Sequence, residues 1–308
     1  QFFFGRGEKP DLKKAFKAYS WAAERGFPEA MHMLAWMYRV GSFVEADMEK
    51  CQHWLQLAAE KSYAPAMNFL ALILLSEADW LEEQNPEVKA DPRCPMGDID
   101  TAESGEGEGA EEKAGTNDEG EEGIDLQAEV TGNTRVDDRR CQLGPDLLLV
   151  FEQVMEKRRK AMRLLQGASR TGHTEAMTNL GNMQEAMGYL GDACNWYRLA
   201  ADPTDAANNP RAQNYLGVMY LEGRGLVRNT TEAVKWFVRS SRQGDPQGCR
   251  NMGMCYEGGV GVPKDIHKAM EFYRLAAEGY SIPAVHSLAY LLARDALHKL
   301  ASTTQQAP

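Results

Sequence analysis

Ala212-Gln-Asn-Tyr-Leu216-Gly217-Val-Met-Tyr220-Leu-Glu-Gly223-Arg-Gly225 runs into Leu-Val-Arg-Asn229-Thr-Thr-Glu232-Ala233-Val-Lys-Trp236-Phe237, and 36 residues later the same grammar returns. Gly253, Tyr256, Gly259, Gly261, Asp265, Ala269, Phe272 and Tyr273 fall in register with it. Ala212, Leu216 and Tyr220 step by four, so they line one stripe of a first helix. Gly217 sits beside that stripe and lets a neighbouring helix approach closely. Gly223 and Gly225 can take positive φ, so they end the helix and turn the chain. Asn229 and its equivalents Asp11, Asp47 and Asp265 are good N-caps for a second helix, and Asn229 with Glu232 predicts a capping box. Ala233, Phe237 and Ser241, like Ala269, Tyr273 and Ala277, form the packing stripe of that second helix. Proline recurs just before each new first helix, at Pro28, Pro65, Pro210, Pro246 and Pro283, where it is well tolerated.

The register extends outward in both directions. Ala176, Ala212, Gly248 and Ala284 are each 36 residues apart, as are Gly181, Gly217, Gly253 and Ala289. Ala30 and Ala66 share the step, and the 110 residues from Ala66 to Ala176 are one step plus an insertion of 74. Neither helix of such a pair can bury its apolar face alone, so the pairs must stack. About six units result. A truncated one covers Gln1 to Phe27, and full ones cover Pro28–Tyr63, Thr174–Asp202, Asn209–Asp245 and Pro246–Tyr280. The unit starting at Ala64 is split by the insertion, and Lys160–His173 supplies its second helix. Ser281 to about Leu300 keeps one helix and closes the array. The expected organisation is therefore repeats over 1–75, an acidic, mostly disordered insertion over 76–145, repeats again over 146–300 and a disordered tail over 301–308. The chain starts in the middle of a repeat, without Met, and so reads as a fragment of a longer protein.

Charge and composition exclude several function classes. The formal net charge is -11, but 17 acidic and 3 basic residues lie between Glu82 and Glu129, leaving the rest close to neutral. Such a body gives no reason to expect nucleic-acid binding. No run approaches 18 consecutive apolar residues, so no membrane span is expected. The six cysteines do not recur at a fixed place in the repeat. They read as free thiols of a reducing compartment, which favours the cytoplasm and leaves the endoplasmic-reticulum lumen or the mitochondrion open. The centre of the insertion, Ser104 to Asp125, is rich in Gly, Glu and Asp and too poor in apolar residues to fold. It reads as a tolerated loop or, functionally, as a tether or a decoy for basic partners. Order should return near Pro145, where Leu147 to Leu165 is apolar at helical spacing.

These residues resemble the Sel-1-like repeat family, part of the tetratricopeptide-like superfamily. Gly253-x-x-Tyr256, Gly259-Val-Gly261-Val262, Asp265, Lys268-Ala269, Phe272-Tyr273 and Ala276-Ala277-Glu-Gly279 carry the likeness. Lys14-Ala15, Tyr19, Ala22-Ala23-Glu24 and Gly26 match its second half. The resemblance implies an all-α fold, a right-handed α/α superhelix (solenoid) of about six helix-turn-helix repeats with a concave groove. It also implies a non-catalytic scaffold or adaptor for other proteins, a component of a larger complex. Within that reading, a luminal adaptor of an endoplasmic-reticulum ubiquitin ligase remains open, as does a regulatory repeat region fused to an enzyme. A cysteine-rich branch of the family ties each repeat with a disulfide. Gly248-Cys249 resembles one half of that bridge, but Ser241 stands where the partner cysteine would be.

By analogy with related repeats, partners lie along the first helices. The residues expected to face them are His32, Trp36, Arg39, Thr178, Asn182, Asn214, Val218, Arg250, Met254 and Glu257. Their mix of amides, charges and apolar groups suits a peptide backbone with a few side-chain pockets. Gly217, Gly223, Gly225, Asn229, Gly253, Gly259, Gly261 and Asp265 are structural. Trp21, Trp54, Trp196 and Trp236 read as packing residues of second helices. Cys51-Gln-His53 is too closely spaced for two ligands on one helix face, and no other metal or cofactor motif is present. No nucleophile motif or phosphate loop is recognisable, so no catalytic residue is expected. Asn229-Thr-Thr231 is a glycosylation sequon, but a helix cap accounts for Asn229 without it.

Overall fold

The computed structural model describes residues 11–89, 144–201 and 208–304. These form α1 (Leu12–Glu24), α2 (Pro28–Val40), α3 (Met48–Glu60), α4 (Ala64–Gln84), α5 (Pro86–Lys89), α6 (Pro145–Arg170), α7 (Thr174–Ala186), α8 (Leu190–Ala201), α9 (Pro210–Glu222), α10 (Thr230–Arg242), α11 (Pro246–Gly258), α12 (Ile266–Glu278) and α13 (Ile282–Thr304). No strand occurs among the described residues. The hairpins are α2/α3, α4/α6, α7/α8, α9/α10 and α11/α12, and each packs on the hairpins before and after it. First helices also touch one another directly, α4 with α7 and α9 with α11. They therefore line the inner side of the stack.

The local chemistry explains the 36-residue step. α2, α9 and α11 end at Gly41, Gly223 and Gly259, all left-handed with φ near 72°. The chain then extends to a cap whose side chain accepts from the third amide of the next helix. Asp47 Oδ1 accepts from the Lys50 amide at 2.9 Å, Asn229 Oδ1 from Glu232 at 3.1 Å and Asp265 Oδ1 from Lys268 at 3.0 Å. Asp11 caps α1 in the same way. The capping box expected at Asn229 is only half made. Glu232 turns to Lys235, while the Asn229 amide donates to the Tyr220 carbonyl at 2.8 Å. Asp47 and Asp265 donate likewise to Tyr38 and Tyr256. This latch ties the start of each second helix to the end of its first.

Packing is set by a size match. Gly181, Gly217 and Gly253 face the rings of Tyr197, Phe237 and Tyr273, and a Cβ on any of them would lie within 2.6 Å of a ring carbon. In the two units where the glycine is replaced by Ala35 or Ala71, the facing register position holds Leu55 or Leu165 instead. All of these side chains are buried. Each large apolar side chain so buried stabilises the fold by about 1.5–3 kcal/mol before entropy is counted. Gly225 and Gly261 join consecutive units: their missing Cβ atoms would meet the carbonyl oxygens of Leu190 and Thr230 in the preceding unit.

Two borders differ from the sequence reading. α4 continues through Gln84 and α5 docks on both α4 and α6, so residues 76–89 belong to the helical body. At the other end α13 runs to Thr304, into the stretch read as tail. α4 and α6 exceed the 13-residue length of α2 and α3, and their extra turns are joined by ion pairs. Arg158 reaches Glu82 at 2.9 Å and Asp79 at 3.5 Å. α6 starts at Pro145, where order was expected to return. The proposed disorder of Ser104–Asp125 lies outside the described residues, as do Cys94 and Cys141.

By length and composition α4 could cross a membrane, although it contains no unbroken run of 18 apolar residues. It is instead a core helix. α3, α6 and α7 pack on it, and its buried face carries Asn68 and Glu82.

Candidate partner-binding face

The inner face is built from equivalent positions of successive first helices. Counting from the small residue of each unit (Ala30, Ala66, Ala176, Ala212, Gly248), position two of one helix meets position three of the next. Asn179 Nδ2 donates to Asn68 Oδ1 at 2.8 Å, and Asn251 Nδ2 donates to Asn214 Oδ1 at 2.8 Å. At the same step upstream the His32 ring lies edge-on to Phe69, with centroids 5.7 Å apart. His32 also meets Tyr63 edge-on, and the Arg39 guanidinium lies over Phe69 at 4.8 Å. The face thus changes character along its length, from aromatic and basic at α2 and α4 to amide-rich at α7, α9 and α11.

The expected site residues divide on this frame. Arg39 is exposed and Met254 is 47% exposed, so both present surface. His32, Trp36, Asn182, Val218, Arg250 and Glu257 are half-buried. Burial pushes the His32 pKa down, which keeps its ring neutral, and its Nδ1 has no hydrogen-bond partner among the described residues. Asn182 and Glu257 accept from the hydroxyls of Tyr197 and Tyr273, each at 2.7 Å. Val218 packs beside Phe237 and Met252. Two expectations need correction. Thr178 is 1% exposed, and its hydroxyl is returned to the Thr174 carbonyl at 2.8 Å, as short hydroxyls on helices often are. Asn214 is also buried, and it acts by fixing Asn251 rather than by reaching outward.

Sequence reasoning missed Asn68, Phe69, Asn179 and Asn251. The signal was available, because Asn68 and Asn214 share one register position and Asn179 and Asn251 share the next. It also passed over Arg224, whose guanidinium forms ion pairs with Glu185 of the preceding unit at 2.7 Å and with Glu222 of its own at 2.8 Å. Trp54, Trp196 and Trp236 pack against core clusters as expected. Trp21 does not: it is 57% exposed and stacked under Arg25 at 3.8 Å.

The titratable groups whose pKa departs from its ordinary value include four buried thiols and two buried tyrosines. Burial raises the thiol pKa of Cys51, Cys194 and Cys249, and that of Cys255 to about 11, so these thiols stay protonated and weakly nucleophilic. Burial and the Glu185 carboxylate raise Tyr197, and burial and Glu257 raise Tyr273. No cluster of three metal-ligating side chains occurs among the described residues.

The family model described as Sel1 repeat matches residues 2–27, 28–63, 210–245 and 246–281. These four segments are Sel1 repeats. The four matched segments fall on the register derived above, with α1, α2/α3, α9/α10 and α11/α12 inside them. A Sel1 repeat protein from Oxalobacter formigenes has the same fold, with a TM-score of 0.57 at 19% identity, covering 90% of this chain and 84% of that one. The right-handed α/α superhelix expected from the sequence is the fold observed. Chitin synthase regulatory factor 3 of Schizosaccharomyces pombe is 25% identical over 89% of this Sel1-repeat chain and 26% of its own length. The ERAD-associated E3 ubiquitin-protein ligase component HRD3B of Arabidopsis thaliana is 40% identical over 18% of the chain and 9% of its own length. The chain spans about a quarter or less of the length of the curated relatives it matches.

Proposed function

We propose that this protein is a non-catalytic adaptor that seats an extended segment of a partner protein along its inner face. The observation that carries this reading is the row of paired asparagines. Asn68–Asn179 and Asn214–Asn251 recur at one register step, and each pair spends only one donor and one acceptor between its members. Asn179 and Asn251 stay half-buried, so their remaining amide groups are placed to bond a peptide backbone. Arg39, Phe69 and Trp36 at one end and Met254 at the other supply side-chain contacts. Relatives named as a regulatory factor and as a ligase component support an adaptor over an enzyme.

The test is site-specific photo-cross-linking in the full-length protein. A photoreactive residue at Arg39 or Met254, on the inner face, should capture a partner. The same residue at Leu199 or Leu275, exposed on second helices, should not. Equal capture from both sets of positions would remove the inner face from the account.

A further inference from the structure

We propose that the outward stripe of α13 is a seat for one amphipathic helix of a partner protein, and that the occupant has the chemistry of α6. This surface is separate from the inner face and does not depend on it. α13 is a first helix, and its inward edge, with Ala284 and Leu291, is buried against α12. Its other stripe, Ile282, Val285, Ala289, Leu292 and Ala296, is apolar at helical spacing and exposed throughout. Val285 is 46% exposed and Leu292 47%.

Among the described helices α4 carries the same stripe, and there it is covered. With Ala284 set on Ala66, α13 aligns with α4: Pro283 with Pro65, Leu288 with Leu70, Ala289 with Ala71, Leu291 with Ile73, Leu292 with Leu74, Asp295 with Glu77 and Ala296 with Ala78. Both helices lack the glycine that ends α2, α9 and α11 eleven residues past the small residue, so both run on, to 21 and 23 residues. On α4 the stripe Ala71, Leu74 and Ala78 is buried, and α6 is the helix that lies across it. Gly167 of α6 sits directly over Met67, the counterpart of Val285. The α4/α6 interface thus states what fits α13.

The size match narrows the occupant further. Where position five of a first helix is Ala, the facing residue is Leu; where it is Gly, the facing residue is aromatic. Position five of α13 is Ala289, so the occupant presents a leucine there, as α6 presents Leu165. A second copy of this chain would offer α1, whose residue at that point is Tyr19, a ring that Ala289 leaves no room for.

A peptide of residues 145–170, the α6 segment itself, is the probe. It is titrated by fluorescence anisotropy against the intact protein and against Ala289→Arg and Leu292→Glu. Both side chains are exposed, so circular dichroism and Tm should match the unsubstituted protein. Saturable binding is expected, weakened about tenfold or more by either substitution and also by Leu165→Phe in the peptide. Absence of saturable binding would overturn the proposal. So would equal binding to the substituted proteins, because the peptide would then be displacing α6 from α4. Sedimentation of the protein alone as a dimer that Ala289→Arg dissolves would overturn it too, because the seat would then belong to a second copy.

Discussion

Gly217 and Phe237 are a fitted pair, and so are Gly181 with Tyr197 and Gly253 with Tyr273. A methyl group on Gly217 has no space, because the Phe237 ring already fills it. Gly217→Ala should destabilise the fold by about 1–3 kcal/mol through overpacking, read as a lower midpoint in urea unfolding. Phe237→Leu should recover part of that loss when combined with it, since the chain itself pairs Ala35 with Leu55 and Ala71 with Leu165. Additive losses in the double variant would show that the two positions are not in contact. At this scale the sequence disclosed half of each relation. The 36-residue recurrence of glycine announced a close approach, but not which ring approached. The asparagine pairs escaped because each joins residues about one repeat or more apart, and single-helix periodicity says nothing about such contacts. Thr178 was misplaced for a related reason, since spacing along one helix shows neither its burial nor the return of its hydroxyl to the Thr174 carbonyl.

Helix ends were the most legible elements, since caps and left-handed glycines are local devices. Asp11, Asp47 and Asp265 each hold an amide at the start of a second helix, and those hydrogen bonds lower their carboxyl pKa. A carboxyl lowered in the folded state adds stability that is complete above its ordinary value near 4 and fades as pH falls through the folded one. Asn accepts the same bond without titrating. The Tm of Asp47→Asn should therefore fall less steeply than that of the unsubstituted protein between about pH 5 and about pH 2. Parallel curves would mean that the Asp47 cap carries no charge-dependent stability. Where stop signals are missing, the sequence misled. Neither α4 nor α13 has the terminating glycine, and both overrun the borders assigned to them. The same absence makes them alike and leads to the comparison of their stripes.

Across the whole molecule, stability is distributed between neighbours, because every substantial contact joins helices close in the order of the stack. The solenoid itself followed from the register, since a hairpin with an uncovered apolar face has one generic remedy. The adaptor role proposed for it did not follow from periodicity. It rests on the inner face and on the kind of proteins the chain resembles. The acidity of the chain belongs to the segment between Glu82 and Glu129 and leaves the repeats near neutral. Cross-linking mass spectrometry on the monomer with a short lysine-reactive reagent tests the sequential stack most directly. The account predicts links only within a unit or between adjacent units, such as Lys50 to Lys14 on neighbouring second helices. Reproducible intramolecular links from Lys13 or Lys17 on α1 to Lys264 or Lys268 at α12 would contradict it.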